Sequence, residues 1–203
     1  MKLSNFFFLI TILAIFSMSL HFSMDSDSWW HLKAGQSIIT DRSTISKDSF
    51  SFTSYGKAWE YPGQWVQELM YIIYKLGGVG AINVWVSLII VSIFVILWNL
   101  AEGNVFIRSL VFLFSAATSA IYWSARPYLF TFLFATIYFL VLERFTKDKK
   151  KGIWLIPLLM VIWVNTHGGF VVGFLIIIPF IVDVIISRYS ISNQEKNSKE
   201  KVE

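Results

Sequence analysis

The chain has no cysteine, and only 15% of its 203 residues are charged. Without a thiol there is no disulfide, no thiolate nucleophile and no thiolate metal site, so any metal must be held by oxygen or imidazole ligands. So small a charged fraction, beside 56% hydrophobic residues and a mean hydropathy of +0.61, fits lipid better than water. A net charge of +4 does not point to nucleic acid. The basic residues fall between apolar runs and in the C-terminal tail, where they orient a membrane protein, so no nucleic-acid partner is expected.

The apolar runs predict an all-α integral membrane protein with about six spans, near 6–24, 80–99, 105–123, 127–145, 153–165 and 169–187, forming one membrane domain over 1–187. Lys2 precedes the first run as in a signal peptide. The run is nevertheless long enough to span and Ser17-Met18-Ser19 is a poor cleavage site, so it reads as an uncleaved anchor. The fifth run is short, and His167-Gly168-Gly169 interrupts 153–187, which reads as a tight hairpin or two short spans. The stretch 25–78 is too polar for hydrocarbon and forms a long loop. Within it, Pro62 opens and Gly77-Gly78 closes an amphipathic helix whose stripe of Trp65, Leu69, Ile73 and Leu76 lies on the membrane, with Gln64, Gln67, Glu68 and Lys75 elsewhere. DSFSFTSYGKAWEYP has no helical period and reads as ordered loop. Arg144, Lys147, Lys149, Lys150 and Lys151 mark a cytoplasmic loop, which puts both termini inside a multi-pass cell-membrane protein and the 25–78 loop outside the cytoplasm. The tail 188–203 reads as disordered.

Three polar constellations then share the outer face. Directly after the first span comes Asp25-Ser-Asp27-Ser-Trp29-Trp30-His31. Two carboxylates two residues apart can hold a divalent cation, Mg or Mn, or divide metal binding and general-base work. Alternatively Asp27 caps a helix beginning at Ser28, with His31 following at helical spacing, and the tryptophans anchor at the headgroups. Arg126, before Pro127-Tyr128, either clamps a lipid-linked phosphate bidentately or snorkels to headgroups. Asn165-Thr166-His167-Gly168-Gly169 sets an amide, a hydroxyl and an imidazole beside glycines that admit close approach of a ligand, or is a plain surface turn.

Taken together, D-x-D-x-W-W-H-L-x-x-G, D-S-F-S-F-T, R-P-Y and W-V-N-T-H-G-G resemble the polytopic glycosyltransferases of the GT-C superfamily in bacteria and archaea, over about residues 1–187. The resemblance implies transfer of a sugar from a polyprenyl-phosphate donor outside the cytoplasm. Asp25 and Asp27 would act as metal ligand or catalytic base, and Trp30, His31, Glu68, Arg126, Asn165 and His167 as substrate-binding positions. Superfamily members commonly have more spans and a C-terminal soluble domain, so the chain looks like an N-terminal half. Two further readings stand beside a transferase: a non-catalytic membrane subunit that binds lipid or another subunit, and a small transporter.

Overall fold

The computed structural model describes residues 2–21, 23–147 and 152–200. Among these, every regular element is helical: α1 (Leu3–Ser19), α2 (Ser26–Asp41), α3 (Gln64–Leu100), α4 (Val105–Ser119), α5 (Leu129–Lys147), α6 (Leu155–Val164) and α7 (Val171–Glu200), with 3-10 turns at Ala120–Tyr122 and Gly168–Phe170. The stretches Gln64–Leu100, Val105–Tyr122, Leu129–Lys147 and Gly168–Ser190 are long and apolar enough to cross a membrane, while α1 and α6 are apolar but shorter.

The helix boundaries follow local chemistry. The first apolar run was expected to hold a helix over 6–24, but α1 ends at Ser19, whose hydroxyl turns back to the Phe16 carbonyl at 2.8 Å. The cap of α2 is Asp25, two residues before the expected Asp27. The Asp25 carboxylate accepts the Ser28 N–H at 2.9 Å and the Ser28 hydroxyl accepts the Asp25 N–H at 3.1 Å, a reciprocal capping box that a cap at Asp27 could not make, since Trp30 would stand where Ser28 does. Asn104 caps α4, accepting the Phe106 N–H at 2.9 Å.

The expected amphipathic helix and second span are continuous as α3, bent at Gly77 and Gly78. Gly78 takes a φ of +61°, the left-handed region that glycine enters without a Cβ penalty. Upstream of the bend, Trp65 and Leu76 of the expected stripe are exposed while Leu69 and Ile73 are half-buried, Ile73 against the core, and Gln67 is not on a polar surface: it is fully buried with Val66 and Met70. The reason is α2, which lies across this limb of α3 and comes closest at Gly35, where an added Cβ would collide with the Gln67 carbonyl. The loop between them is closed by Gln64, whose side-chain amide exchanges two 2.9 Å hydrogen bonds with the Ile45 backbone. It is also closed by Asp48, which accepts the N–H groups of Phe50 and Ser51 at 2.8 Å. The D-S-F-S segment is thus a turn built on Asp48.

Helix α3 is the hub, touching α1, α2 and α5. Its lower half meets α4 through ring contacts, Phe112 against Phe94 and Trp98. A second apolar cluster centred on Phe134, Tyr138 and Trp163 joins α5 to α6 and α7. With 10 residues, α6 is roughly 15 Å long and cannot cross hydrocarbon about 30 Å thick by itself. The Tyr138 hydroxyl donates to the Ile156 carbonyl at 2.7 Å, which starts α6 beside the middle of α5 and brings its end to the first turn of α5. The tail expected to be disordered from 188 continues α7 to Glu200, since extending a formed helix through Gln, Glu and Lys is easier than nucleating one. Of the basic loop, Lys149, Lys150 and Lys151 lie outside the described residues.

Gly35→Ala should lower the stability of the detergent-solubilised protein by about 2 kcal/mol, because backbone rather than a flexible side chain opposes the new methyl. Gly80→Ala, in α3 with nothing near its Cβ position, should be neutral or stabilising. Thermal unfolding of the two variants checks this, and equal melting temperatures would contradict the Gly35 contact.

Candidate functional site

The three polar constellations meet at the end of the bundle where α2 lies. A backbone hydrogen bond from Ala125 N–H to the Ser23 carbonyl, 2.8 Å, ties the entry to α2 to the entry to α5. Asp25 and Arg126, 101 positions apart, are thereby made neighbours. Arg126 Nε donates to Asp25 Oδ2 at 2.6 Å, Nη2 stands 2.6 Å from the same oxygen, and Nη1 stands 2.7 Å from Asp27 Oδ2. One guanidinium is thus shared by two carboxylates, leaving the triad with one net negative charge.

The two carboxylates differ in what they have left to offer. Asp25 Oδ1 accepts the Ser28 N–H and hydroxyl, both at 2.9 Å, and Oδ2 is held by Arg126, so both oxygens are committed. Burial works to raise this carboxyl, but the hydrogen bonds from Arg126 and Ser28 outweigh it and hold it well below the usual carboxylate range. Asp27 is about half exposed at 46% of its side chain, and its Oδ1 takes no hydrogen bond among the described residues. Arg126 has five N–H groups, of which the three contacts above use three.

His31 lies under this triad, buried, with Nδ1 3.0 Å from Gln67 Nε2. Burial, aided by the charge of Arg126, pushes its imidazole down to about 3, so the ring is neutral, accepting the amide N–H at Nδ1 and carrying its proton on Nε2. Gln67 Oε1 is left buried without a partner among the described residues, as is Trp59 Nε1. Trp30 covers the histidine, with ring centroids 3.7 Å apart, and meets Trp59 and Tyr61 edge-on at 5.8 and 5.6 Å. His167 comes from the break between α6 and α7. Its Nδ1 accepts the Gly169 N–H and the Thr131 hydroxyl, both at 3.0 Å, and Thr131 in turn accepts the buried Trp163 Nε1–H at 3.2 Å. These donors place the proton on Nε2, which has no partner among the described residues. Burial lowers the His167 imidazole too. The Tyr128 ring stands between, 6.5 Å from His167 and 5.9 Å from the Arg126 guanidinium.

Two expected residues stay apart. Asn165 donates its amide to the Val161 carbonyl at 2.7 Å and is exposed. Glu68 is half-buried, with no side-chain hydrogen bond or ion pair among the described residues. Trp163, the first residue of the W-V-N-T-H-G-G motif, belongs to the cluster, and so do Gln67, Thr131 and Ser28, which had not been expected as site residues. Of these last, only Ser28 was detectable, from its spacing to Asp25. A cavity of about 380 Å³ adjoins Asp25 and Arg126 and is lined as well by Ser23, Tyr122, Ser124 and Tyr128.

No family model matches the chain, and no curated protein or solved structure matches it either.

A divalent cation would find two carboxylates here with a guanidinium already between them. Among the described residues no three metal-ligating side chains converge anywhere. Two carboxylates already paired with a guanidinium are a poor donor set for a metal, whereas Asp27 Oδ1 and the remaining Arg126 N–H groups are left to accept from and donate to a neutral polar ligand.

Acid should weaken the fold in two steps. His31 is depressed, so the stability it contributes is complete above the ordinary imidazole value of 6.5 and declines as pH falls from there towards about 3. Asp25 is depressed as well, so its contribution is complete above 3.8 and is lost as pH falls through its lower folded value. The melting temperature in detergent should fall between pH 7 and 4, and His31→Gln should flatten that slope. An unchanged slope would mean that His31 is not held neutral.

Proposed function

We propose that this protein is a membrane glycosyltransferase module that moves a sugar from a polyprenyl-phosphate-linked donor to an acceptor on the extracytoplasmic side. The observation that carries the reading is the Asp25–Arg126–Asp27 triad, assembled from residues 101 positions apart beside a cavity. Glycosyl transfer develops positive charge on the sugar in an oxocarbenium-like transition state, and a site with one net negative charge favours it. A phosphate clamp alone would call for an arginine without two carboxylates on it. The GT-C resemblance of the motifs adds to the reading, as do the six apolar helices among the described residues, four of them long enough to cross a membrane. With the 25–78 loop outside the cytoplasm, the cavity opens at the outer membrane surface.

Within this reading the residues divide the work. Asp25 caps α2 and fixes Arg126. Asp27, with one oxygen uncommitted, is the group to accept the proton of the acceptor hydroxyl as general base, and no metal is needed for that step. Arg126 and the Nε2–H of His167 donate to the donor substrate, and Trp30 and His31 form the platform beneath.

A second reading, a non-catalytic subunit of a larger assembly, draws on the apolar segment Gly168–Ser190 leading into α7, whose residues are nearly all unburied within the chain. Stable co-purification of another membrane protein would favour it.

In a membrane extract supplied with labelled polyprenyl-phosphate sugar, Asp27→Asn should reduce transfer by about 10² or more, the usual contribution of a positioned base. Transfer left intact by Asp25→Ala and Asp27→Ala together would overturn the catalytic assignment.

A further inference from the structure

The segment between Lys47 and Trp59 is tightly built and yet leaves two large rings in the open. An antiparallel bridge pairs Lys47 with Ala58, closed by the Asp48 N–H on the Lys57 carbonyl at 2.8 Å and the Trp59 N–H on the Ser46 carbonyl at 2.9 Å. Nearer the tip, the Gly56 N–H donates to the Asp48 carbonyl at 2.7 Å and the Ser54 N–H to the Ser51 hydroxyl at 3.1 Å. Asp48 is buried, with its carboxylate engaged by the N–H groups of Phe50 and Ser51. The two phenylalanines of D-S-F-S-F-T then part company. Phe50 is half-buried against Trp59, with ring centroids 6.0 Å apart, whereas Phe52 is 100% exposed and Tyr55 75%.

The position of the loop decides what those rings meet. Gln64, the first residue of α3, holds the base of the loop through Ile45. Beside it, an added Cβ on Gly63 would stand 2.5 Å from the Thr166 carbonyl oxygen, in the break between α6 and α7 where the apolar segment Gly168–Ser190 begins. The loop therefore springs from the level at which the chain enters the membrane. From Lys47 to Phe52 the chain extends no more than about 17 Å, so headgroups lie within reach of the tip. Lys47 and Lys57 flank the rings, both exposed and neither in an ion pair among the described residues. With Asp48 buried between them, the free charge of the segment is positive. Aromatic rings at the headgroup level beside lysines that reach to phosphates are the chemistry of an interfacial anchor.

We propose that Phe52 and Tyr55 insert into the headgroup layer of the bilayer that holds the spans, with Lys47 and Lys57 on lipid phosphates. The occupant of this surface is lipid, and anionic lipid by preference. The loop is joined to α2 through Trp59 and Trp30 and to α3 through Gln64, so the anchor fixes the height of the polar cluster relative to the membrane. It stands whether or not the chain transfers sugar.

The lack of cysteine makes the test specific, because one introduced thiol takes a spin label at one place. Thr53→Cys puts the label between the two rings and leaves both intact. With the full chain in phosphatidylcholine nanodiscs, this label should be relaxed more by oxygen, which concentrates in lipid, than by a water-soluble nickel chelate. A label at Lys33→Cys, on the exposed face of α2, supplies the aqueous reference. Phe52→Ala with Tyr55→Ala should bring the Thr53→Cys label to that reference without lowering the melting temperature, since neither ring supports the fold. Adding phosphatidylglycerol should deepen the label, and Lys47→Gln with Lys57→Gln should abolish that increment. A Thr53→Cys label as open to nickel as the reference, or indifferent to the loss of both rings, would overturn the anchor. Shielding from oxygen and nickel alike would overturn it in favour of a contact with a second copy of the chain, and a depth unaffected by phosphatidylglycerol would overturn the role of the lysines.

Discussion

The organisation of the upper half of the molecule depends on where one guanidinium is placed. Arg126 stands at the start of α5 and Asp25 and Asp27 at the start of α2, so the ion pairs join the two halves of the chain at their polar ends. The three side chains keep part of their surface in solvent, Asp27 most of all, so the ion pairs matter more for where they hold α2 and α5 than for the stability they add. The backbone bond from Ala125 to Ser23 sets the register that lets them meet. Everything else in the site is placed relative to that joint: His31 one helical turn further along α2, Tyr128 two residues past the arginine, and His167 against Thr131 in the first turn of α5.

Much of the fold was legible because long apolar runs admit few alternatives, and the pair Gly77-Gly78 announced a break that the backbone duly makes. What was not legible depends on tertiary neighbours. Gln67 reads as a polar position on an interfacial helix, and only the arrival of α2 over Gly35 makes it interior. Thr131 looks like an ordinary residue of an apolar helix until the turn after α6 brings His167 onto it. The shift of the cap from Asp27 to Asp25 is different in kind. The signal was local, an aspartate with a serine three positions on, but two adjacent acidic candidates competed and the reciprocal partner decided between them.

The length of α6 follows from the same site. A full span between α5 and α7 would carry its end beyond Thr131. Starting beside Tyr138 instead, ten residues suffice to deliver the Trp163–Thr131–His167 chain of hydrogen bonds to the right level. The half-length helix is therefore a ruler for the histidine, and the tight seat of Gly173 against Met160, Trp163 and Tyr138 shows how closely α7 returns past it.

The bend at Gly77 and Gly78 has a mechanical consequence. It divides α3 into an upper limb clamped under α2 and a lower limb that runs along α1 and α5. Bilayers differ in thickness, and a helix longer or shorter than the local hydrocarbon answers by tilting. A rigid α3 would carry that tilt straight to Gln67, the partner of His31. With two glycines between them the limbs take separate directions, so the seat of α2 on the upper limb does not dictate the direction of the lower one.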